Sequence, residues 1–292
     1  MMSNLLRLVV HKIRVLFWLV RPKNTMLDFL GESFISLSAR WHGELYPILS
    51  YFSLYDVLRQ LNFKGKFLEF GGGYSTVLAA NIFKPQEVSI ASVDLNPSKY
   101  NRILNSAHSK QRFLSSISSI QAPTVTLAEA FAGLEAVRVS LKDFDRTVVE
   151  LSIRKFVSSK NISEQFTDLI FSENGDELKE IIMSHPSYIG DLKFYEGAKS
   201  LLGTAYCSSL VEQNYKADAI FFDCGEVSSI GEWHLMWQTI RIGGFALLHD
   251  IYYPKSIKNF LVATYIDLSP NWSILYTDSQ STQGALSAQR VA

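Results

Sequence analysis

The chain has 292 residues, in which 28 lysines and arginines balance 28 aspartates and glutamates. A zero net charge argues against a polycation that binds nucleic acid, because such binding depends mainly on neutralising phosphates. With 47% hydrophobic and 19% charged residues, the chain is also unlike disordered sequences, which are poor in apolar residues. The two cysteines, Cys207 and Cys224, exclude a disulfide framework and favour a reducing, cytoplasmic location.

Two expectations compete for residues 1–47, which we treat as an extension before the main domain. In residues 5–20 (LLRLVVHKIRVLFWLV), Arg7, His11 and Arg14 share one helical face, opposite a set of apolar side chains. A basic amphipathic helix is typical of a segment lying on an anionic membrane surface, which would make the protein peripheral to the membrane. The alternative is a helix packed on the domain with its basic face in water. The segment lacks the uninterrupted apolar run of a signal peptide or a membrane-spanning helix.

From residue 48 onward the sequence predicts a helix and then alternating strands and helices. The predicted strands are short and largely apolar: Lys66–Phe70, Val88–Leu95, Asp191–Tyr195, Ala217–Asp223 and Gly243–His249. The predicted helices are 48–61, Ser75–Ile82, a segment ending near Val211, Ile230–Thr239 and Ser256–Ile266. The last two segments, Trp272–Thr277 and Gly284–Arg290, are expected to form an antiparallel pair.

This order indicates an α/β, Rossmann-like fold for residues 48–292. Buried strands separated by helices form a mostly parallel sheet that is covered by helices on both faces. A helical insertion at about 107–190 interrupts the alternation, because this segment is too long and too apolar for a loop. Its spaced apolar residues predict helices at Leu127–Val139, Thr147–Phe156 and Asp176–Met183. We expect the insertion to lie near the carboxyl ends of the strands, where such sheets bind ligands.

The strongest local pattern is the segment KFLEFGGGYSTVLAA at Lys66–Ala80. A predicted strand runs into three glycines, Gly71 to Gly73, and then into a helix. Glycines let the backbone approach a ligand closely, and a helix N-terminus offers unpaired N–H groups and a positive dipole end. Asp94 ends the next predicted strand, where an acid can accept hydrogen bonds from ribose hydroxyls. The combination indicates a cofactor that contains a nucleoside.

Two residues distinguish this pattern from the dinucleotide fingerprint. Thr76 stands where the third glycine of that fingerprint would be. Glu69 lies two residues before the glycines, where its carboxylate would repel a pyrophosphate but suits the amino group of a methionine moiety. The pattern therefore favours S-adenosylmethionine over a nicotinamide dinucleotide.

On these motifs the sequence resembles the class I S-adenosylmethionine-dependent methyltransferases, in particular a subset that includes small-molecule and sugar O-methyltransferases. The resemblance covers residues 66–106 and 191–292, and not the N-terminal extension or the insertion. The matching motifs, in chain order, are Glu69-Phe-Gly71-Gly-Gly73-Tyr-Ser75-Thr76, Val93-Asp94, Ala217-Asp-Ala-Ile-Phe-Phe-Asp223 and Arg241-Ile-Gly243-Gly244-Phe-Ala-Leu-Leu-His249-Asp250.

The resemblance implies S-adenosylmethionine as cofactor and a role for each matched position. The implied cofactor-binding residues are Glu69, Gly71, Gly73, Ser75, Asp94, Leu95 and Asp223. Of these, Glu69 and the glycines would frame the methionine end, Asp94 would bind the ribose, and Leu95 would pack on the adenine. The family often has an acid after the glycine of the third strand, but here Ala198 follows Gly197, and Glu196 is the substitute candidate.

The ends of the fourth and fifth predicted strands carry Asp223 and the pair His249-Asp250. Some O-methyltransferases of this fold hold Mg²⁺ at these positions, so Asp223 and Asp250 are candidate metal ligands and Mg²⁺ a candidate cofactor. His249 suits Mg²⁺ poorly, but its ordinary pKa near neutrality suits a general base. We therefore take His249 and Asp223 as the candidate catalytic residues, with metal and general base as open alternatives.

The resemblance implies methylation of a hydroxyl on a small-molecule, lipid-linked or glycan acceptor. Two other readings stay open, a dehydrogenase on a Rossmann-like scaffold and a non-catalytic cofactor-fold module at a membrane surface. Glu69 and the missing third glycine argue against the dehydrogenase. The intact set of Glu69, Asp94 and Asp223 argues against loss of cofactor binding.

Overall fold

The computed structural model describes residues 45–95, 117–197, 205–226, 228–278 and 283–292. The region Tyr46–Ala292 forms one compact unit. The amphipathic helix predicted at residues 5–20, and the membrane contact predicted for it, lie outside the described residues. Within the described ranges, no helix combines the length and the apolar character needed to cross a bilayer.

Seven strands of the described chain form one mixed sheet. The strands are β1 (Gly65–Phe70), β2 (Val88–Asp94), β3 (Ile117–Gln121), β4 (Ala217–Phe222), β5 (Ile240–His249), β6 (Trp272–Asp278) and β7 (Ala285–Arg290). Their order across the sheet is β3-β2-β1-β4-β5-β7-β6. The strands from β3 to β5 pair in parallel, and β7 is antiparallel to both neighbours. The predicted fold class, including its C-terminal antiparallel pair, is confirmed.

The helices connect these strands and add a long helical segment between β3 and β4. Those in the described ranges are α1 (Leu45–Gln60), α2 (Tyr74–Ile82), α3 (Leu127–Lys142), α4 (Arg146–Phe156), α5 (Lys160–Phe171), α6 (Asp176–Ser184), α7 (Pro186–Gly197), α8 (Tyr206–Glu212), α9 (Ser228–Met236) and α10 (Phe260–Leu268).

Helices cover both faces of the sheet, as the apolar strands require. Successive residues of a strand point to opposite faces of the sheet. On one face, Tyr55 of α1 packs edge-on against Phe67 of β1, with ring centroids 5.6 Å apart. On the other, Phe70 of β1 packs against Phe222 of β4, which in turn contacts Trp233 of α9. The site-bearing ends of β1 and β4 are therefore fixed from both sides.

The third strand of the sheet lies elsewhere than the sequence predicts. Asp191–Tyr195 is not a strand but part of α7, which begins at Pro186; proline is favoured in the first turn of a helix. The third strand is β3, at the edge of the sheet, and three residues of its sequence ISSIQ are exposed. The assignment of Glu196 and Gly197 to the end of the third strand is therefore wrong, and Gln121 ends that strand instead; Ala198 lies outside the described residues.

The predicted insertion at about 107–190 contains β3, and in the part of it that the structure describes the helices begin at Leu127. The three helices predicted within it are confirmed as α3, α4 and α6, and α5 lies between the last two. Thr126 caps the N-terminus of α3 with a capping box. The Glu129 N–H donates to the Thr126 hydroxyl, and the Glu129 carboxylate accepts a hydrogen bond from the Thr126 N–H.

The helical segment α3–α7 contacts the loops after β5 and β4 at the carboxyl edge of the sheet. After α4, Val157 bridges to Tyr253, and the Tyr253 N–H donates to the carbonyl of Phe156 over 3.0 Å. In α7, the Asp191 carboxylate lies against Gly225, so closely that a Cβ there would be 2.5 Å from Oδ2. This segment therefore packs against the loops that follow β5 and β4.

Candidate functional site

The glycine turn joins β1 to α2 at the middle of the sheet. Gly71 has φ +89°, a conformation that favours glycine, and a Cβ there would lie 2.2 Å from the carbonyl oxygen of Asp223. The Asp223 N–H in turn donates to the carbonyl of Phe70 over 3.0 Å. A glycine is therefore required at position 71, because the ends of β1 and β4 approach each other there too closely for a side chain. The same contact brings the glycine turn next to Asp223.

Gly73 differs from Gly71 in what surrounds it. A Cβ built at Gly73 would meet no atom of the described residues within 4 Å, although the residue itself is buried. Its N–H donates to the Thr76 hydroxyl over 3.0 Å, which ties the turn to the first turn of α2. The space beside Gly73 is the kind of cradle into which a ligand fits, and a side chain would fill it.

Glu69, the residue that the sequence analysis placed before the glycines, is completely buried under α2. One carboxyl oxygen accepts a short hydrogen bond from the Thr76 hydroxyl, and Thr76 also contacts Ser92 Oγ at 3.2 Å. The other oxygen, Oε1, has no hydrogen-bond partner among the described residues. Burial raises the pKa of Glu69 to about 7, against the lowering effect of the hydroxyls of Ser75, Thr76 and Ser92. Ser75, a predicted cofactor contact, lies near enough to the Glu69 carboxyl to influence its pKa.

Asp94 and Leu95 follow the glycine turn across the sheet. Asp94 ends β2, is half-buried and lies in register with Gln121 of β3. A Cβ at Gly72 would be 3.6 Å from Asp94 Cβ, so the acid borders the turn as predicted. Leu95 is buried, and its carbonyl accepts a hydrogen bond from Gln121 Nε2 over 3.3 Å. Gln121 therefore occupies the strand end that the sequence analysis assigned to Gly197.

Four charged side chains meet at the carboxyl ends of β4 and β5, and we call them the strand-end cluster: Asp223, His249, Asp250 and Lys258. Lys258 Nζ donates to Asp223 Oδ1 over 2.8 Å and to Asp250 Oδ2 over 3.0 Å. His249 Nδ1 lies 3.3 Å from Asp223 Oδ1 and 3.1 Å from Asp250 Oδ1. The ring N–H is not aligned for a hydrogen bond to either carboxylate, so these two contacts are ion pairs without one.

The cluster is electrostatically balanced. Although burial opposes it, the carboxylates of Asp250 and Asp223 raise the pKa of His249 to about 9. Burial alone would raise the pKa of Asp223, but the charges of Lys258 and His249 lower it by more, so its net shift is downward. The pKa of Asp250 is lowered for the same reasons. The pKa of Lys258 is raised by the two carboxylates in spite of its burial. Two cations therefore face two anions in a site whose side chains are at most 10% exposed.

Backbone hydrogen bonds hold the cluster in place. Asn259 Nδ2 donates to the carbonyl of Phe222 over 3.1 Å and to that of His249 over 2.7 Å, which joins the ends of β4 and β5. Asp250 adopts φ +59°, unusual outside glycine, and its N–H donates to the carbonyl of Gly284 over 3.0 Å. This turn directs the Asp250 side chain back toward Asp223.

Two residues of the site, Lys258 and Tyr51, and one further buried acid, Glu232, are not predicted from the sequence. Lys258 lay within a helix predicted from Ser256, but α10 begins only at Phe260. Tyr51 of α1 places its ring 4.6 Å from the ring of His249. Glu232 of α9 is completely buried and accepts a hydrogen bond from the Thr124 hydroxyl over 2.5 Å. Each depends on a contact between distant segments, and nothing in the local sequence marks it.

The glycine turn fits a bound S-adenosylmethionine. The unpartnered Glu69 Oε1 is a buried acceptor that an ammonium group can satisfy, and the space at Gly73 can take the adjoining chain of the ligand. Asp94 borders the same turn from β2.

The strand-end cluster does not fit Mg²⁺ in the same way. Asp223, His249 and Asp250 could offer ligand atoms within 4.8 Å of one another. However, the ammonium of Lys258 already contacts both carboxylates. Of the three donors, the histidine nitrogen is also one that Mg²⁺ binds poorly.

Comparisons with known proteins find similar solved structures. No protein-family model matches the chain, and no curated protein matches it. The O-methyltransferase TomG from Streptomyces achromogenes, solved in complex with SAM, is 9% identical with a TM-score of 0.46, covering 96% of this chain and 95% of TomG. An O-methyltransferase from Bacillus cereus, solved with SAH, is 12% identical with a TM-score of 0.43, covering 95% and 96%. A methyltransferase from Geobacter sulfurreducens is 8% identical with a TM-score of 0.47, covering 97% and 96%.

Proposed function

We propose that the chain is an S-adenosylmethionine-dependent methyltransferase that acts on a hydroxyl group of a small-molecule acceptor. The observation that carries the proposal is the glycine turn. It combines a buried carboxyl with an unpartnered oxygen at Glu69, open space at Gly73 and direct contact between Gly71 and the backbone of Asp223. One end of this arrangement suits the methionine part of the cofactor, and the other leads to the strand-end cluster.

In this proposal each predicted residue has one task. Glu69 accepts a hydrogen bond from the ammonium of the methionine part, and the backbone of Gly71 and Gly73 runs alongside it. Asp94 accepts hydrogen bonds from the ribose hydroxyls, and Leu95 packs on the adenine. The helix N-terminus of α2 points its unpaired N–H groups at the same place. When bound, S-adenosylmethionine supplies a methyl group already activated by its sulfonium.

The chain has to align the acceptor and take up its proton. We assign the proton to Asp223, which lies between the glycine turn and the cluster. An alcohol oxygen becomes strongly acidic as it takes up a methyl group, so a carboxylate hydrogen-bonded to it suffices as base. His249 keeps the Asp223 carboxylate oriented through their 3.3 Å contact. The buried surroundings exclude water and hold the reacting groups in line.

Lipid-linked and glycan hydroxyls remain within the acceptor class that we propose. The helical segment α3–α7 contacts the loop after β4 through Asp191 and Gly225 and the loop after β5 through Val157 and Tyr253. A segment at this edge can select the acceptor, and we propose that role for it. Residues 5–20 would bring the protein to a membrane surface if the acceptor is lipid-linked.

The test is cofactor binding, measured by isothermal titration calorimetry with S-adenosylhomocysteine and NAD in parallel. We expect the wild-type chain to bind S-adenosylhomocysteine and not NAD. Gly73→Val should abolish binding, because its branched side chain enters the space that is open beside Gly73. Asp94→Ala should weaken binding by about 1–3 kcal/mol through lost charge-assisted hydrogen bonds.

Gly190→Val is the matched control, because a Cβ at Gly190 also meets nothing within 4 Å but lies on the exposed surface of α7. It should bind like wild type. Equal binding by wild type, Gly73→Val and Asp94→Ala would contradict the site assignment. Binding of NAD alone would favour the dehydrogenase instead.

A further inference from the structure

The strand-end cluster contains its own cation. We propose that the ammonium of Lys258 takes the place of a divalent metal ion between Asp223 and Asp250, so that this site positions the acceptor without metal. The part of this inference that concerns the acceptor rests on the proposed function. The part that concerns the cation rests on the contacts of Lys258 alone.

The first argument is geometric. Lys258 Nζ lies 2.8 Å from Asp223 Oδ1 and 3.0 Å from Asp250 Oδ2, so it contacts one oxygen of each carboxylate. A metal ion bridging the two side chains needs an oxygen of each carboxylate at about 2.0–2.6 Å, which places it beside the ammonium that already lies between them. Ammonium and metal ion would therefore compete for one position. A metal could enter only if Lys258 moved away.

The second argument is that Lys258 is held in place. Its side chain is only 7% exposed, and its N–H donates to Ser256 Oγ over 3.0 Å. The carboxylate of Glu226 accepts hydrogen bonds from Ser256 Oγ over 2.6 Å and from the Ile257 N–H over 3.1 Å. On the other side, Asn259 bonds the ends of β4 and β5. The lysine is thus delivered by a fixed backbone, unlike a mobile surface lysine.

The third argument concerns what removal of the lysine would leave. Two buried carboxylates would face each other beside His249, with no ammonium between them. Buried charges of like sign are costly unless a counter-charge is present. The variant would therefore gain what the wild-type chain lacks, a vacant acidic site with three candidate ligands within 4.8 Å. A small divalent cation should bind there.

The experiment is a titration of the full chain with MnCl₂, in which free Mn²⁺ is measured by electron paramagnetic resonance. Mn²⁺ accepts both oxygen and nitrogen ligands and so suits two carboxylates and a histidine. The proteins are wild type, Lys258→Ala, Lys258→Met and the control Lys255→Ala, which removes an exposed lysine three residues away. We expect no stoichiometric binding by wild type or Lys255→Ala. Both Lys258 variants should bind one Mn²⁺ at least about tenfold more tightly than wild type.

Two results would overturn the inference. One is stoichiometric Mn²⁺ binding by the wild-type chain that is lost in Asp250→Asn. The other is a folded Lys258→Met variant that binds Mn²⁺ no better than wild type. If the Lys258 variants do not fold alone, they are refolded with and without millimolar MnCl₂. Folding that requires Mn²⁺ supports the inference, and misfolding that Mn²⁺ does not change contradicts it.

The readout is independent of methyl transfer. S-adenosylhomocysteine binding is measured on the same wild-type sample, and its absence would contradict the proposed function without affecting the Mn²⁺ result. Conversely, Mn²⁺ binding by wild type would overturn the role of Lys258 while leaving the cofactor site intact.

Discussion

Two buried glutamates, Glu69 and Glu232, show how differently one kind of residue can serve the molecule. Each is completely buried, accepts a hydrogen bond from a threonine hydroxyl and has one carboxyl oxygen without a partner among the described residues. Burial raises the pKa of Glu69 to about 7 and that of Glu232 to about 8. Only Glu69 adjoins the glycine turn, so we expect only Glu69 to be needed for the cofactor.

These raised pKa values predict how stability depends on pH. The folded chain binds the protons of the Glu69 and Glu232 carboxyl groups more tightly than the unfolded chain, in which glutamates have ordinary pKa values near 4.5. The contribution to stability is therefore full below about pH 4.5 and is lost as the pH rises through the folded-state values. Glu232→Gln, which cannot ionise, should raise the free energy of unfolding at pH 9 by about 1–3 kcal/mol relative to wild type. At pH 5 the difference should be much smaller. Urea denaturation at both pH values measures this.

Glu69→Gln provides the comparison. It should show the same direction of stabilisation at high pH but lose affinity for S-adenosylhomocysteine, whereas Glu232→Gln should keep it. Loss of affinity in Glu232→Gln would show that the cofactor site extends to α9. A stability that depends on pH identically in all three proteins would contradict the ionisation argument.

At the scale of elements, the crossing of α3 and α9 fixes the helical segment to the sheet. A Cβ at Gly133 of α3 would lie 2.7 Å from the carbonyl oxygen of Ile230 in α9. A Cβ at Gly231 of α9 would lie 2.8 Å from Ala130 Cα in α3. The two backbones are thus in direct contact, and the glycines are required by that approach.

This contact reverses the usual effect of replacing a helical glycine by alanine. In an open helix the change stabilises by roughly 0.5–1 kcal/mol, because glycine loses more backbone entropy on folding. Gly190→Ala in α7, where a Cβ meets nothing, should show this gain. Gly133→Ala should instead destabilise by about 1–3 kcal/mol, since the methyl group overpacks the crossing. Thermal unfolding of the two variants distinguishes the cases, and a stabilised Gly133→Ala would contradict the close packing.

The same scale shows which elements the sequence could predict. β4 and the second half of β5 were recognisable because they are buried on both faces and therefore almost entirely apolar. β3 was not, because an edge strand with the sequence ISSIQ carries no apolar pattern. The glycine turn could be read locally, since its function depends on consecutive residues. Lys258 could not, because it acts through side chains that follow two other strands.

At the scale of the whole molecule, the helical segment and the sheet share one hydrophobic core. Residues of α3 to α6 and of β1, β4 and β5 belong to the same buried cluster. Phe166 of α5 connects the two parts, with its ring 4.8 Å from that of Phe260 in α10 and 4.9 Å from that of Tyr253. Tyr253 lies on the loop that leads from Asp250 to Lys258. The segment should therefore unfold together with the site and not as a separate domain.

Phe166→Ala tests this continuity. Removing a buried phenylalanine lowers the free energy of unfolding by about 3–5 kcal/mol. If the core is shared, the strands of the sheet should be destabilised together with α5. Hydrogen exchange followed by mass spectrometry should show lower protection in peptides from α5 and, by a similar free energy, in peptides from β4 and β5. Leu151→Ala, on the exposed side of α4 where the side chain is 55% exposed, should leave both regions unchanged. If exchange increased in α5 alone, the helical segment would be a separate folding unit, and its proposed part in shaping the acceptor site would lose its structural basis.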